Sequence, residues 1–348
     1  MARKLIDRPV VFVALASLSG VALLGALAAV GPQSVPKVIK VDQWVLARKS
    51  WPVSCCWVAR RVVVALEGSK GVLVLNEAGD PVATVPTTST PVLLEADATT
   101  ERVFVSTTDG IDVLDAARIQ LTGHVAIPSL IYGIALDVEQ SVGYACDGKD
   151  PVLHSFDLGT LKVTGQISLS GVGFKPVLAP SLKKVYVGSA ATPDPASPLL
   201  SGGVVDVVDL VAGRVAKSIA VPGMTVRAIA TGGGQYLYVV ANVQGHLVRI
   251  DTRADSIDPQ FGLFVGRAND IVIDARQESA YVTCEGADEE MVVIDLARCT
   301  EIARFHAGEG FMAPVRDDFG TVLRLFVPNF KRDALAVIDT SEVWAHRQ

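Results

Sequence analysis

Residues 270–306 read DIVIDARQESAYVTCEGADEEMVVIDLARCTEIARFH, and this stretch decides the fold. It holds four short apolar runs, Asp270 to Asp274, Ala280 to Cys284, Met291 to Asp295 and Glu301 to His306, separated by turns rich in acidic residues, Arg and Gly. Runs of this length, rich in Val, Ile and Tyr and bounded by turn residues, are the pattern of β-strands.

The same pattern recurs on both sides. A β-prone triplet, a turn of variable length and an apolar run closing with Asp make one unit. The triplets start at Val63, Phe104, Tyr144, Tyr186, Tyr238, Tyr281 and Phe326, at spacings of 41, 40, 42, 52, 43 and 45. The matching runs close at Asn76, Asp115, Asp157, Asp209, Asp251, Asp295 and Asp339. Seven repeats with a period of about 40 predict an all-β fold, a seven-bladed β-propeller whose blades are four-stranded antiparallel sheets around a channel. The closing Asp has a structural role, because its carboxylate accepts backbone N–H bonds in the following turn, as in Leu114, Asp115, Ala116, Ala117.

Tyr281, Val282, Thr283, Cys284 followed by Val293, Ile294, Asp295 resembles the YVTN-type seven-bladed β-propeller repeat, and Tyr238, Val239, Val240, Ala241, Asn242 is a looser copy. The resemblance covers residues 38–348 and departs from the pattern where most blades lack the final Asn, Cys284 being one case. It implies the propeller architecture but no single activity, since the family is functionally mixed. Lactonase-type propellers hold calcium with acidic and amide side chains in the channel. By that resemblance Glu95, Asp137, Asp270 and Asp317 are the contributors to consider, with Glu95 and Asp137 toward the far ends of their strands.

The last repeat supplies an inner strand near Pro314 to Asp317, a second at Leu323 to Val327 and a third at Leu335 to Asp339, but no outer strand. Val38 to Asp42 alternates like the outer strand Val215 to Val221 and lies just before the first inner strand, Pro52 to Val58. It is predicted to complete blade seven and remove the free edge. Residues 341–348 are the competitor for that edge. The spacing of 52 in blade four reflects a Pro-rich insertion, Ala190 to Gly203, either a functional loop or a tolerated one.

At 348 residues the length alone would allow two domains at roughly 150 residues each, or one large all-β domain. Half of the residues are apolar and 20% charged, which excludes a disordered chain. The formal charge is −6, and the basic residues Arg3, Lys4 and Arg8 sit at the amino terminus, so the body is more acidic still and a poor nucleic-acid binder. From Pro9 to Gly31 there is no charge, and Val10 to Val30 is an apolar run long enough for a membrane span. Residues 1–31 are thus predicted to be a helical signal anchor, or a signal peptide cleaved after Ala26, Leu27, Ala28, with 32–37 as linker and 38–348 as propeller. The positive-inside rule then puts the propeller on the extracytoplasmic side, periplasmic or cell-surface, anchored in the inner membrane, or secreted if the signal is cleaved.

Five cysteines are too few for a disulfide scaffold, and no C-x-x-C-H is present for covalent haem. Cys55 and Cys56 read as small inner-strand side chains in preference to a vicinal disulfide. The histidines show no metal spacing, no catalytic triad is visible, and Thr231 to Gly234 lacks the helix that a phosphate loop requires. No metal or cofactor is predicted. The loops leading into the inner strands line one channel mouth, and they contribute Trp51, Tyr132, Phe174, Lys175, Arg227, Asn269, Asp270 and Phe311. Aromatics with Arg on one face are the composition of a protein-binding surface, although large aromatics also fill gaps between blades. The predicted function is a membrane-anchored module that binds another, membrane-associated protein. The competing expectation is an exported enzyme, a lactonase-like hydrolase or a redox protein with a noncovalent cofactor.

Overall fold

The computed structural model describes residues 41–190, 203–221, 226–232, 234–241, 245–285, 289–317 and 320–341. Among them, twenty-eight strands form seven four-stranded antiparallel sheets, the seven predicted blades. Blade six runs Ala268–Asp274, Ser279–Cys284, Glu290–Asp295 and Thr300–His306 in spatial order, each predicted strand extended by up to two residues. Inner and middle strands are sandwiched between neighbouring blades and read as continuous apolar runs; all six residues of Ser279–Cys284 are buried. The outer strand has solvent beyond it, so Pro81–Pro86 alternates between exposed and partly buried positions.

The core lies between sheets. Val240 and Leu247 of blade five interlock with Ile271, Val282 and Ile294 of blade six, and a comparable cluster fills each inter-blade space. Cys55 and Cys56 follow the strand alternation. Cys55 joins Phe326 and Leu335 on the blade-seven side, and Cys56 joins Leu94 and Val103 on the blade-two side. All five cysteines are free.

The turns after the third strands form as predicted. Asp209 Oδ1 accepts the Val211 and Ala212 N–H groups at 2.8 and 2.9 Å, and Asp251 Oδ1 does the same for Arg253 and Ala254. Asn76 Oδ1 substitutes in blade one, accepting from Ala78 and Asp80 at 2.9 Å. These donors hold the Asp115, Asp157, Asp209 and Asp251 carboxyls below the usual range.

Blade seven closes as the strand count requires, with a shift. Its outer strand is Val41–Val45, antiparallel to Ala334–Asp339 in the register Val41↔Ile338 to Val45↔Ala334. The predicted strand, Val38 to Asp42, begins three residues earlier, and Val38 to Lys40 lie outside the described residues. In the observed register Trp44 is brought 5.3 Å from the Phe326 ring, apolar contact that the predicted stretch lacks. The predicted signal segment 1–31 and predicted linker 32–37 also lie outside the described residues, as do 191–202 of the blade-four insertion and the tail 342–348. Among the described residues no helix is long and apolar enough to cross a membrane.

Candidate functional site: the channel and its rim

A repeated irregularity builds the rim. In six blades the inner strand carries one extra residue near its start, where the register to the second strand shifts. The extra residues are Val53, Val92, Tyr132, Arg227 and Asn269, while blade four fits Phe174 and Lys175 between Gly173 and Pro176. A bulge leaves its extra residue outside the ladder and re-aims the side chain. Five of the eight predicted mouth residues therefore share one structural position, which sequence spacing alone did not reveal.

Two half-exposed aromatic pairs stand at this end. Tyr132 and Phe174, on adjacent blades, stack with ring centroids 5.1 Å apart, and Trp51 stacks on Phe330 at 5.9 Å. Trp51 is 41% exposed and has a left-handed backbone, φ 48°. Asp333 enforces that conformation: its carboxylate accepts the Trp51 N–H at 3.0 Å, the Lys49 N–H at 2.7 Å and the Ser50 hydroxyl at 3.2 Å. The same donors, Trp51 first, hold the Asp333 carboxyl below the usual range. Asn269 donates to the Glu309 carbonyl at 3.0 Å, tying blade six to the approach of blade seven. The side chain of Arg227 lies outside the described residues.

The side chains of Lys175 and Asp270 turn inward from the rim. The Lys175 ammonium reaches Asp270 Oδ1 at 3.3 Å, while Asp270 Oδ2 accepts the Met312 N–H at 2.9 Å. Asp270 is 1% exposed, so it serves as an internal counter-charge and not as a contact residue. Burial disfavours the Lys175 ammonium, but Asp270 and Glu95 together outweigh it and raise its pKa. Phe311 also turns to the interior. It bridges to Ser54 and lines the channel cavity.

That cavity, about 450 Å³, is walled by inner strands of several blades, including Cys55, Glu95, Lys175, Phe311 and Arg316. Glu95 is the residue that sequence reasoning underrated. It sits fifth of the seven residues of Pro91–Asp97, toward the far end as expected, and shares the cavity with Lys175. The available signal was one carboxylate inside the apolar run Pro91 to Ala96. Burial raises the Glu95 pKa to about 7, with Lys175 lowering it and Asp270 raising it further. Cys55 and Cys56 have raised pKa values through burial, so both thiols stay protonated in the wall.

The four carboxylates considered for calcium do not converge. Asp137 accepts the Gln140 N–H at 3.1 Å and Asp317 the Thr321 N–H at 2.8 Å, both in turns, and Asp270 is occupied by Lys175. Among the described residues no cluster of three or more His, Cys, Asp or Glu side chains is arranged to hold a metal. His124 and His154 contact Asp112 and Asp147 at 2.9 and 3.1 Å, within their own blades.

No protein-family model matches this sequence, and no curated protein matches it. Among solved structures the chain is similar to Kuenenia stuttgartiensis hydrazine synthase, with TM-score 0.73 and 14% identity over 85% of this chain and 97% of that one. At that identity the likeness shows the fold, a seven-bladed propeller, and nothing of the chemistry.

Proposed function

We propose that this chain is an exported, YVTN-type β-propeller, anchored at the extracytoplasmic face of a membrane through residues 10–30, that binds a membrane-associated protein at the rim where its inner strands begin. Trp51 carries the reading. A left-handed backbone costs a non-glycine residue about 1–2 kcal/mol, and a side chain this exposed recovers little of it through burial. The stack on Phe330 still leaves the indole 41% exposed, and exposed aromatic anchors on a rigid scaffold are typical of binding hot spots. The Tyr132–Phe174 pair extends the same apolar rim. Support for export is the uncharged run behind Arg3, Lys4 and Arg8, and support for the repeat type is the second-strand motif at Tyr281.

The test is cross-linking and capture from detergent-solubilised membranes with the intact chain and with Trp51→Ala. The expected result is one discrete protein recovered by the intact chain and lost with Trp51→Ala, whose melting temperature falls by only a few degrees, as loss of the Phe330 stack requires. Equal recovery by both refutes the rim reading, and an amino terminus beginning near residue 29 in the membrane-extracted protein refutes the anchor.

A second reading, an exported propeller enzyme, is favoured by one observation. Burial raises the Glu95 pKa to about 7, and the carboxyl shares the channel cavity with the Lys175 ammonium, an arrangement suited to a general acid or base. Turnover of a lactone or ester panel that disappears with Glu95→Gln would establish it.

A further inference from the structure

The channel wall carries a guanidinium that no ion pair answers. Arg316, the last residue of the inner strand Ala313–Arg316, donates to the Ile273 carbonyl of blade six at 2.8 Å and to the Gly320 carbonyl in the next turn of its own blade at 2.7 Å. Two of its five N–H donors are used in this way, and the other three have no acceptor among the described residues. Asp274 acts on the guanidinium through space, but its carboxylate accepts the Arg276, Gln277 and Val322 N–H groups and makes no ion pair with it. The second cation of the wall, Lys175, is already held by Asp270 at 3.3 Å. Arg316 is thus fixed in place by two backbone carbonyls, with donors to spare, beside a cavity of about 450 Å³ whose wall is more polar than apolar.

We propose that the channel binds a small hydroxylated carboxylate, whose two oxygens accept from the unused N–H groups of Arg316 and whose hydroxyls face the polar wall. A planar guanidinium matches a carboxylate in a bidentate, charge-assisted pair, and one already held in place loses little freedom on binding. The unanswered charge repels an amine. A polar wall gives an apolar body no advantage. A phosphate brings a charge of about −1.5 to −2, and the other cation that could answer the excess is committed to Asp270.

Equilibrium dialysis of the full chain at pH 6 and about 0.15 M salt tests this with glycerate, glycerol, 3-amino-1,2-propanediol and inorganic phosphate. At that pH the Glu95 carboxyl, with its pKa of about 7, is largely protonated and does not oppose an anion. The measurement needs neither a protein partner nor turnover, so its outcome is independent of the rim reading and of the enzyme reading. For a ligand this small the expected dissociation constant is about 1 mM. Glycerate should bind at least about tenfold more tightly than glycerol, the amine or phosphate. Arg316→Gln should weaken glycerate at least about tenfold and leave glycerol unchanged. Arg316→Lys, the reserve should Arg316→Gln not fold, keeps the charge but loses the fork, and should weaken glycerate about threefold or more. No binding of glycerate, binding of glycerol, the amine or phosphate as tight as that of glycerate, or an unchanged glycerate affinity in the Arg316 variants would each overturn the proposal.

Discussion

Lys175 Nζ lies 3.3 Å from Asp270 Oδ1 and so joins blade four to blade six across the channel, past blade five. Adjacent blades of a propeller share side-chain packing but no common ladder, and this pair adds a polar strut on the axis. Asp270 also accepts from Met312 on the approach to blade seven, so a single carboxylate ties three parts of the ring.

Removing Lys175 should therefore be costly. Lys175→Met leaves Asp270, 1% exposed, as a buried charge with only the Met312 N–H, and breaking a buried pair from one side costs about 3–5 kcal/mol. Asp270→Asn keeps an acceptor for Met312 and should cost less. Chemical denaturation of both single variants and the double variant gives the coupling directly. A double variant that loses the full sum of the two single costs would show that the strut contributes nothing.

Stability should fall as pH rises through the Glu95 titration. The folded pKa, about 7, stands above the ordinary 4.5, so between those values the folded state holds the proton more tightly than the unfolded chain. The protonated form stabilises the fold, and that contribution is lost as pH approaches 7, by at most about 1.4 kcal/mol per pH unit. Glu95→Gln mimics the neutral carboxyl, so its melting temperature should match the parent near pH 4, below both titrations, and exceed it at pH 8. Thermal scans at both values check this, and a constant difference would remove Glu95 as the responsible group.

The blades were legible in the sequence because each repeats the same local solution. Val, Ile and Tyr fill strands covered on both faces, and Asp209 or Asp251 closes the turn through its own backbone neighbours. These are short-range relationships, written at fixed spacing. The Lys175–Asp270 pair spans 95 residues and follows from ring closure, so nothing near either residue announces it. The bulges were hidden for a related reason: Tyr132 and Asn269 read as loop residues until the register shows them inside the strand.

Ring closure by the strand Val41–Val45 should be separable from the residues that precede it. A chain starting at Leu46 keeps every residue from the first inner strand onward but leaves Ala334–Asp339 as a bare edge and uncovers Phe326. Loss of the Trp44 contact, with the indole half-buried, should cost about 2 kcal/mol or more, and the open edge should promote association. A chain starting at Lys40 should melt like the full-length protein. Equal melting temperature and monomeric size for both chains would show that the strand does not stabilise the ring.

Four of the five thiols should resist modification in the native state. Cys55, Cys56, Cys146 and Cys284 are buried, and burial raises the pKa of each, to about 12 for Cys284. Thiolate, the reactive form, is then nearly absent at neutral pH. Cys299 is only partly buried and should be the first to react with an aromatic disulfide reagent, followed by all five under denaturant. Rapid native labelling at Cys55 or Cys56 would mean that the channel wall is open to reagent.

Trp51 should separate binding from stability more sharply than the other rim residues. Glycine adopts a left-handed backbone freely, so Trp51→Gly relieves about 1–2 kcal/mol of strain. Against this stand the loss of stacking on Phe330, about 0.5–1.5 kcal/mol, and the greater freedom of glycine in the unfolded chain, about 0.4–1 kcal/mol. The terms nearly cancel, and the variant should melt within a few degrees of the parent while losing partner capture. If the indole were filler between blades, the same truncation would cost about 3–5 kcal/mol. Thermal melting and partner recovery measured on one preparation distinguish the two, and a large fall in melting temperature would assign Trp51 to the core.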